Sequence, residues 1–533
     1  MSAIRPDPRT SLEAAPPTSA GVDRTLIAAL LGVAAYSCAM GARDVRYFLA
    51  QGADDAAYYL RVAEYAARGQ GFTFDGLAPT NGFHPLWAWL LTGFYKLAPV
   101  GPETMLRLVW VLQSLLMSAS AWLLWRLLRR SAGSWPAALG AVLFMGRLYY
   151  TGRGGMESSL LLLLVVVFLD LAERWRPPHG LARAGAMGGL AGVVMLSRLD
   201  AVFVAGALAA AWCLAGGGAK RRGGTAAVVF AVAALVVLPY LASNLRDFGH
   251  LVPISGMLKS SFPHPGWHVA AFSLGGQDAL VLLFTTALCV LFLLTRLLPA
   301  AGPEPVLVRS LLPALVLGVL AHELYSALFV KWGAFSWHFV LVRLALALVL
   351  PVLLARVVAP HGRRAAAGWA AGTLLVALAS LAPVIRRDWR TDYTQSWTVQ
   401  AYEAARWARQ NTPADAVFAM RDAGNFGWFS RRRVVNLDGI VNTFAYQDSL
   451  RAGRFEGFLR SRGVSYFVHH AIYDRPDITD GSYRAWRFDS FSHLYDRSGG
   501  SLTLLHDDEV YRSRPYPDAG HRCVFLIWKM PKP

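Results

Sequence analysis

"GADDAAYYLRVAEYAARGQGFTFDGLAPTNGFHPLWAW" occupies residues 52–89 and interrupts an otherwise very apolar chain. It follows one apolar segment and precedes many more. It opens with adjacent carboxylates, Asp54 and Asp55, next to the pair Tyr58-Tyr59. The run DDAAYYLRVAEYAARG has helical character, with Gly69 placed to stop it. The turn formers Gly76, Pro79, Asn81-Gly82 and Pro85 then crowd into ten residues before apolar sequence resumes at His84-Pro-Leu-Trp. A long, acid-bearing, structured loop between apolar segments decides the class. The rest of the chain must be a membrane protein that does something at the end of its spans.

The bulk numbers agree. Of 533 residues, 55% are hydrophobic and only 16% charged, against about 25% charged in soluble domains. Apolar runs fall at about 25–42, 104–125, 133–150, 156–172, 184–198, 201–217, 225–243, 277–298, 310–330, 337–358 and 365–385, and read as membrane spans. The shorter segment 84–98 reads as an interfacial or partly buried helix. The expected architecture is an all-α polytopic membrane bundle of about eleven transmembrane helices with a C-terminal α/β extramembrane domain. Residues 1–24 form a polar, Pro-rich disordered tail. Residues 25–385 carry the spans, with an external first loop at 43–103, and residues 386–533 form the extracytoplasmic domain. In that domain 416–420, 432–439, 464–470 and 522–530 read as strands, and 397–410 and 445–462 as helices.

The net charge of +18 arises from 52 basic and 34 acidic residues. The basic residues cluster in short connections such as RLLRR (126–130), KRR (220–222) and RVVAPHGRR (356–364), as the positive-inside rule and an anionic lipid surface expect. No nucleic-acid recognition motif accompanies them, so nucleic acid is not a partner. With the N-terminus cytoplasmic, the first loop and the C-terminal domain fall outside, which places the chain in the inner (plasma) membrane. Cys38, Cys213, Cys289 and Cys523 have no spacing that suits zinc or a disulfide framework.

Further charges gather on the outer side: Arg153, Glu157, Arg198, Asp200, Lys259 and Arg343, with His322 and Glu323 inside the ninth run. Charges at that depth are costly and face a cavity or a partner. Each has a plainer explanation, an ion pair tying helices together. Asp54 likewise has one, capping its own helix.

The segments DDAAYYL, GFTFDG and PTNGFHPLW, then GMESSL, SRLDAVF, NLRDFG…PISGMLK and DAGNFGWFS…VVNLDGIVN, resemble bacterial polytopic glycosyltransferases of the GT-C superfamily. That group includes protein O-mannosyltransferases and lipid A aminoarabinose transferases, and TNGFHPLW marks a bacterial subgroup. The resemblance runs from about residue 25 to 470. It implies a polyprenyl-phosphate sugar donor, an acceptor glycan, lipid or protein, and a catalytic aspartate in the first external loop. By position Asp54 matches that aspartate, while Asp55 stands where mannosyltransferases carry Glu. Arg198, Lys259, Arg343 and Arg153 are the expected donor-phosphate ligands. Tyr58, Tyr59, Asn81, His84, Glu157, Asp200 and Glu323 are the expected substrate contacts. No metal ligand set and no cofactor is called for, although a divalent metal stays open. The competing classes are a transporter, which predicts midplane charges and inverted repeats, and a non-catalytic scaffold.

Overall fold

A computed structural model describes residues 19–175, 180–215, 218–268, 276–298, 304–358, 396–473, 485–518 and 520–530, with isolated positions between these stretches. The first ten apolar runs fall on helices, from Ser19–Met40 to Val340–Val358. The eleventh, 365–385, lies mostly outside the described residues. Among the described residues, five helices are long and apolar enough to cross a membrane: Pro102–Ala132, Ala219–Phe248, Asp278–Thr295, Leu307–Phe329 and Ser336–Val357. Shorter apolar helices occupy Leu30–Met40, Ser134–Gly146, Leu181–Ser197 and Leu199–Leu214. The expectation of eleven spans therefore leans on these shorter helices as well. Helix Ala219–Phe248 turns Phe230, Leu235 and Leu238 outward, as a lipid-facing helix does.

Two apolar cores matter here. One joins the membrane helices, through Leu124, Phe144, Leu162, Leu208, Leu315 and Leu344 among others. The other has no counterpart in the span pattern. It merges residues of the first loop (Tyr58, Phe74, Trp87) with Ile254 and Leu258 and with Phe418, Phe426, Trp428 and Val441 of the C-terminal domain. The first loop is thus packed between membrane helices and the C-terminal domain.

That domain begins with helix Trp397–Asn411 and contains strands β1 (Val417–Met420), β2 (Arg433–Asn436), β3 (Tyr466–Ile472), β4 (Ala485–Ser492), β5 (Arg497–Leu505), β6 (Glu509–Arg512), β7 (Tyr516–Asp518) and β8 (His521–Lys529). One sheet has the order β2-β1-β3-β8-β6, with β7 also on β8; β4 and β5 pair separately. β1 runs parallel to β2 and β3, and β3 antiparallel to β8. The four strands expected from sequence are β1, β2, β3 and β8. The β1–β2 crossover, with helix Gly424–Phe429, puts two loops at the C-terminal ends of parallel strands, where open α/β sheets present their ligands. Here those loops meet the acid pair of the first loop.

Candidate active site

Helix Asp54–Ala67 carries both acids in its first turn, where the helix dipole favours negative charge. Its N-cap is Ala53, which offers no side-chain cap. Asp54 does not cap its own helix. Its Oδ2 accepts the Gly424 N–H at 2.8 Å and its Oδ1 the Asn425 N–H at 2.7 Å, so it caps the Gly424–Phe429 helix of the other domain. Burial raises the Asp54 pKa well above the usual range; the Asn425 and Gly424 amides oppose this, and Asp422 and Asp55 add to it. The same boundary is tied by Tyr58, whose hydroxyl donates to Asp438 Oδ2 at 2.8 Å and accepts from Ala423 N and Asn436 Nδ2. Two glycines permit this approach. A Cβ on Gly82 would lie 1.8 Å from the Ile440 carbonyl oxygen, and one on Gly424 2.1 Å from that of Asp54.

Asp55, one residue on, faces the other way. It lines a cavity of about 1040 Å³ together with Tyr58, Tyr59 and His84 of the first loop, Glu157, Arg198, Asp200, Lys259 and His322, and Ile440 and Val441 of the C-terminal domain. No hydrogen bond or ion pair engages its carboxylate among the described residues. Burial raises its pKa; Lys259 opposes the shift, and Asp438 and Glu157 reinforce it.

The cations are held differently. Arg198 sits in extended backbone between Leu181–Ser197 and the next helix. Its Nε lies 2.9 Å from Asp200 Oδ1, and its Nη1 donates to the Trp337 carbonyl at 2.6 Å. Asp200 also meets His322 Nε2 at 3.2 Å. Lys259 is the last residue of the short helix Ile254–Lys259. Its Nζ lies 5.9 Å from the Trp332 ring centroid and has no acidic partner within 4 Å among the described residues. The loop after it is pinned to the end of helix Leu307–Phe329 by Lys331 N to Lys259 O and Ser261 N to Phe329 O. Glu157 is 1% exposed. Its Oε1 lies 3.8 Å from Arg198 and 3.9 Å from His84, and its Oε2 has no hydrogen-bond partner among the described residues. Burial lowers the His84 pKa, against the pull of Glu157 and Asp200.

Other expected site residues lie elsewhere. Arg343 is buried against Asp278 at 2.7 Å and Thr151 at 2.8 Å. Arg153 packs its guanidinium over Trp110 and Tyr149. Glu323 accepts from Thr286 on the neighbouring helix. Asn81 accepts Ile254 N–H and donates to Asn244, holding the loop to Ala219–Phe248. All four bond or pack helices and loops together, and Arg343 does so through an ion pair, the plainer explanation given above. Sequence reasoning missed Asn436, Asp438 and Lys331. The first two stand at the end of the strand-like run VVNLDG, a position that could have flagged them. Among the described residues, the only group of three or more His, Cys, Asp or Glu ligand atoms close enough for a metal ion lies outside the cavity, at His470, Asp518 and Cys523.

Several solved structures share this architecture, among them the following. ArnT from Cupriavidus metallidurans in the apo state aligns with a TM-score of 0.54 and 14% identity, over 95% of this chain and 98% of that one. The same protein bound to undecaprenyl phosphate aligns at 0.53 and 13%, over 94% and 98%. The Archaeoglobus fulgidus oligosaccharyltransferase aligns at 0.53 and 15%, over 84% and 70%. The fold is therefore one shared with ArnT and with this oligosaccharyltransferase. Residues 387–511 match DUF8728, a domain of unknown function. No curated protein matches in sequence. That shared fold accounts for the helices, and DUF8728 covers the segment that supplies Gly424, Asn425 and Asp438.

Proposed function

We propose that this chain is an integral membrane glycosyltransferase of the inner membrane. In this reading it moves a sugar from a polyprenyl-phosphate donor to an acceptor hydroxyl at the outer face, with inversion. The observation that carries it is the cavity, where Asp55 and Lys259, which among the described residues have no hydrogen-bonding partner and no acidic partner respectively, face each other within a GT-C fold. ArnT, one of the solved structures sharing that fold, is known bound to undecaprenyl phosphate.

The chemistry follows from the groups present. Asp55 takes the proton of the acceptor hydroxyl, and the oxygen attacks the anomeric carbon of the sugar. The bond from that carbon to the phosphate oxygen breaks, and its electron pair leaves on the phosphate. Polyprenyl phosphate is a weak base, so it needs cations rather than an acid. Lys259 and Arg198 supply charge-assisted hydrogen bonds that strengthen as the phosphate charge develops. Asp54 carries no proton in this scheme. It joins the first loop to the Gly424–Phe429 helix and so fixes the direction of Asp55. The sequence favoured Asp54 as base; the engagement of both its oxygens moves the assignment to Asp55. Leu251, Val252 and Phe262 line the cavity and remain half exposed or more, which suits the isoprenoid tail.

Polyprenyl phosphate is common to every donor of this class, so its binding tests the reading before the sugar is known. Purified protein should bind undecaprenyl phosphate, and Lys259→Met should weaken that binding about tenfold or more. No binding by the wild-type protein would overturn the proposal. Topology is checked separately. Tags after Arg129 and after Lys220 should report the cytoplasm, and a tag at the C-terminus the outside.

A further inference from the structure

Three strands of the C-terminal domain bring together a set of side chains that the cavity does not use. His470 lies on β3, Asp518 ends β7, and Cys523 lies on β8. β8 is the common neighbour of the other two. In the register, His470 faces Phe525, and Cys523 faces Tyr516 on one side and Ile472 on the other. Side chains alternate along a strand, so His470, Tyr516, Asp518, Cys523 and Phe525 all project from one face of the sheet. One ligand atom from each of His470, Asp518 and Cys523 lies within 4.8 Å of the other two.

The imidazole is held in place. Its ring stacks nearly parallel on Trp397, Tyr516 and Phe525, at centroid distances of 5.9, 5.7 and 5.3 Å. Among the described residues its Nε2 is buried without a hydrogen-bond partner, 3.7 Å from Asp518 Oδ2. That gap is too long for a hydrogen bond. Two ligands bound to one tetrahedral metal at about 2.0–2.2 Å lie roughly 3.3–3.6 Å apart. The His–Asp pair therefore needs to close by only a few tenths of an ångström. Cys523 is buried and in no disulfide, while His470 and Asp518 keep 25% and 30% of their side chains exposed, which leaves an approach from solvent.

We propose that His470, Asp518 and Cys523 form a zinc site that staples β3, β7 and β8. Imidazole nitrogen, carboxylate oxygen and thiolate are the donor set of a four-coordinate Zn²⁺. Binding displaces the Cys523 thiol proton to solvent. The fourth position goes to water or to His521, which pairs directly with Asp518 across β7 and β8 and so shares the face. The site is separate from the sugar-transfer cavity and does not depend on that reading. No sequence spacing announces it, because its ligands come from three strands and 53 residues separate the histidine from the cysteine.

Co²⁺ titrated into full-length, chelator-stripped protein in detergent tests this, because only a thiolate ligand gives a sulfur-to-cobalt charge-transfer band. One equivalent should produce the band, and Zn²⁺ should bleach it. The band should be absent in Cys523→Ser and Cys523→Ala. In His470→Ala and Asp518→Asn the affinity should fall at least about tenfold. Cys38, Cys213 and Cys289 sit in apolar helices and serve as internal controls. Melting temperatures without metal should match the stripped wild type, which shows that the variants fold. Zn²⁺ should raise the melting temperature of the wild type and not of Cys523→Ser. No band in the wild type, or a band of equal strength in both Cys523 variants, would overturn the site.

Discussion

Helix Ser158–Arg174 connects two charge clusters that a sequence scan would treat alike. At its start, Glu157 stands in the cavity with one carboxylate oxygen unbonded. Four turns later, Asp170 is 1% exposed and accepts from Arg126, Arg130 and Arg174 at once. The helix spanning Ser336–Val357 repeats the contrast. Trp337 and His338 line the cavity at one end, while at the other Arg356 joins Arg296 on Glu304. At the far end Asp170 is matched by three arginines and Glu304 by two. At the cavity end Asp55, Glu157 and Asp200 face Arg198 and Lys259, and Lys259 has no acidic partner among the described residues. Excess pairing marks a staple; an open carboxylate and an open ammonium mark a place built for a missing partner, because leaving such groups unmatched is costly.

This contrast can be broken by substitution. The largest effect is expected at the open end. Lys259→Met should cost about tenfold to a thousandfold in donor KM or turnover, with a nearly unchanged melting temperature because the ammonium has no acidic partner among the described residues. Near-normal donor kinetics would place the phosphate elsewhere. Next comes the boundary that orients the acids. Gly82→Ala drives a Cβ into the Ile440 carbonyl, and backbone cannot yield as a side chain does. Displacing the loop by about an ångström should cost about a hundredfold in turnover. Full activity in that variant would show that the first loop and the C-terminal domain act independently.

A smaller effect concerns pH. The folded pKa of Asp55 is raised, by burial first, so it loses its proton at a higher pH than a free aspartate does. A base must be ionised, so activity should fall as pH drops through that raised value. Glu157→Gln removes a neighbouring negative charge and should move the acid limb of the rate profile to lower pH. Lys259→Met removes the opposing positive charge and should move it higher. A limb that neither substitution moves would mean that another group titrates. The smallest effect on activity is expected at the staple. Asp170→Asn should lower stability by about 1–3 kcal/mol, muted because its arginines reach solvent, yet leave turnover within about twofold. A large loss of turnover at normal stability would contradict the distinction between the two ends.

The helices were legible because apolar runs of the right length have few alternatives in a chain this poor in charge. The cavity charges Arg198, Asp200, Glu157 and Lys259, with His84, were legible as polar residues at the ends of those runs. Sequence could not say what each charge faces. Arg343 meets Asp278, 65 residues away, and Glu323 meets Thr286. Asp54 meets two amides 370 and 371 residues away. No local pattern reports such partners. β4 was a different kind of miss. Burial alternates along the whole of AWRFDSFS, but the apolar pattern follows it only through Asp489, since Ser490 and Ser492 are buried and Phe491 is exposed; period-2 reading would have flagged the first half of the strand.

The division of labour between the adjacent aspartates is the central claim. It is tested by comparing Asp54→Asn with Asp55→Asn in one assay of sugar release from a polyprenyl-phosphate donor, alongside melting temperature. Asp55→Asn should lose about a hundredfold to ten-thousandfold in rate while melting like the wild type. Asp54→Asn keeps one carbonyl oxygen for the Gly424–Phe429 helix but turns an NH₂ towards the other amide. It should lose less rate and show a lowered melting temperature. The reverse pattern, an active Asp55→Asn protein and a normally folded but inactive Asp54→Asn protein, would contradict the account and return the base to Asp54.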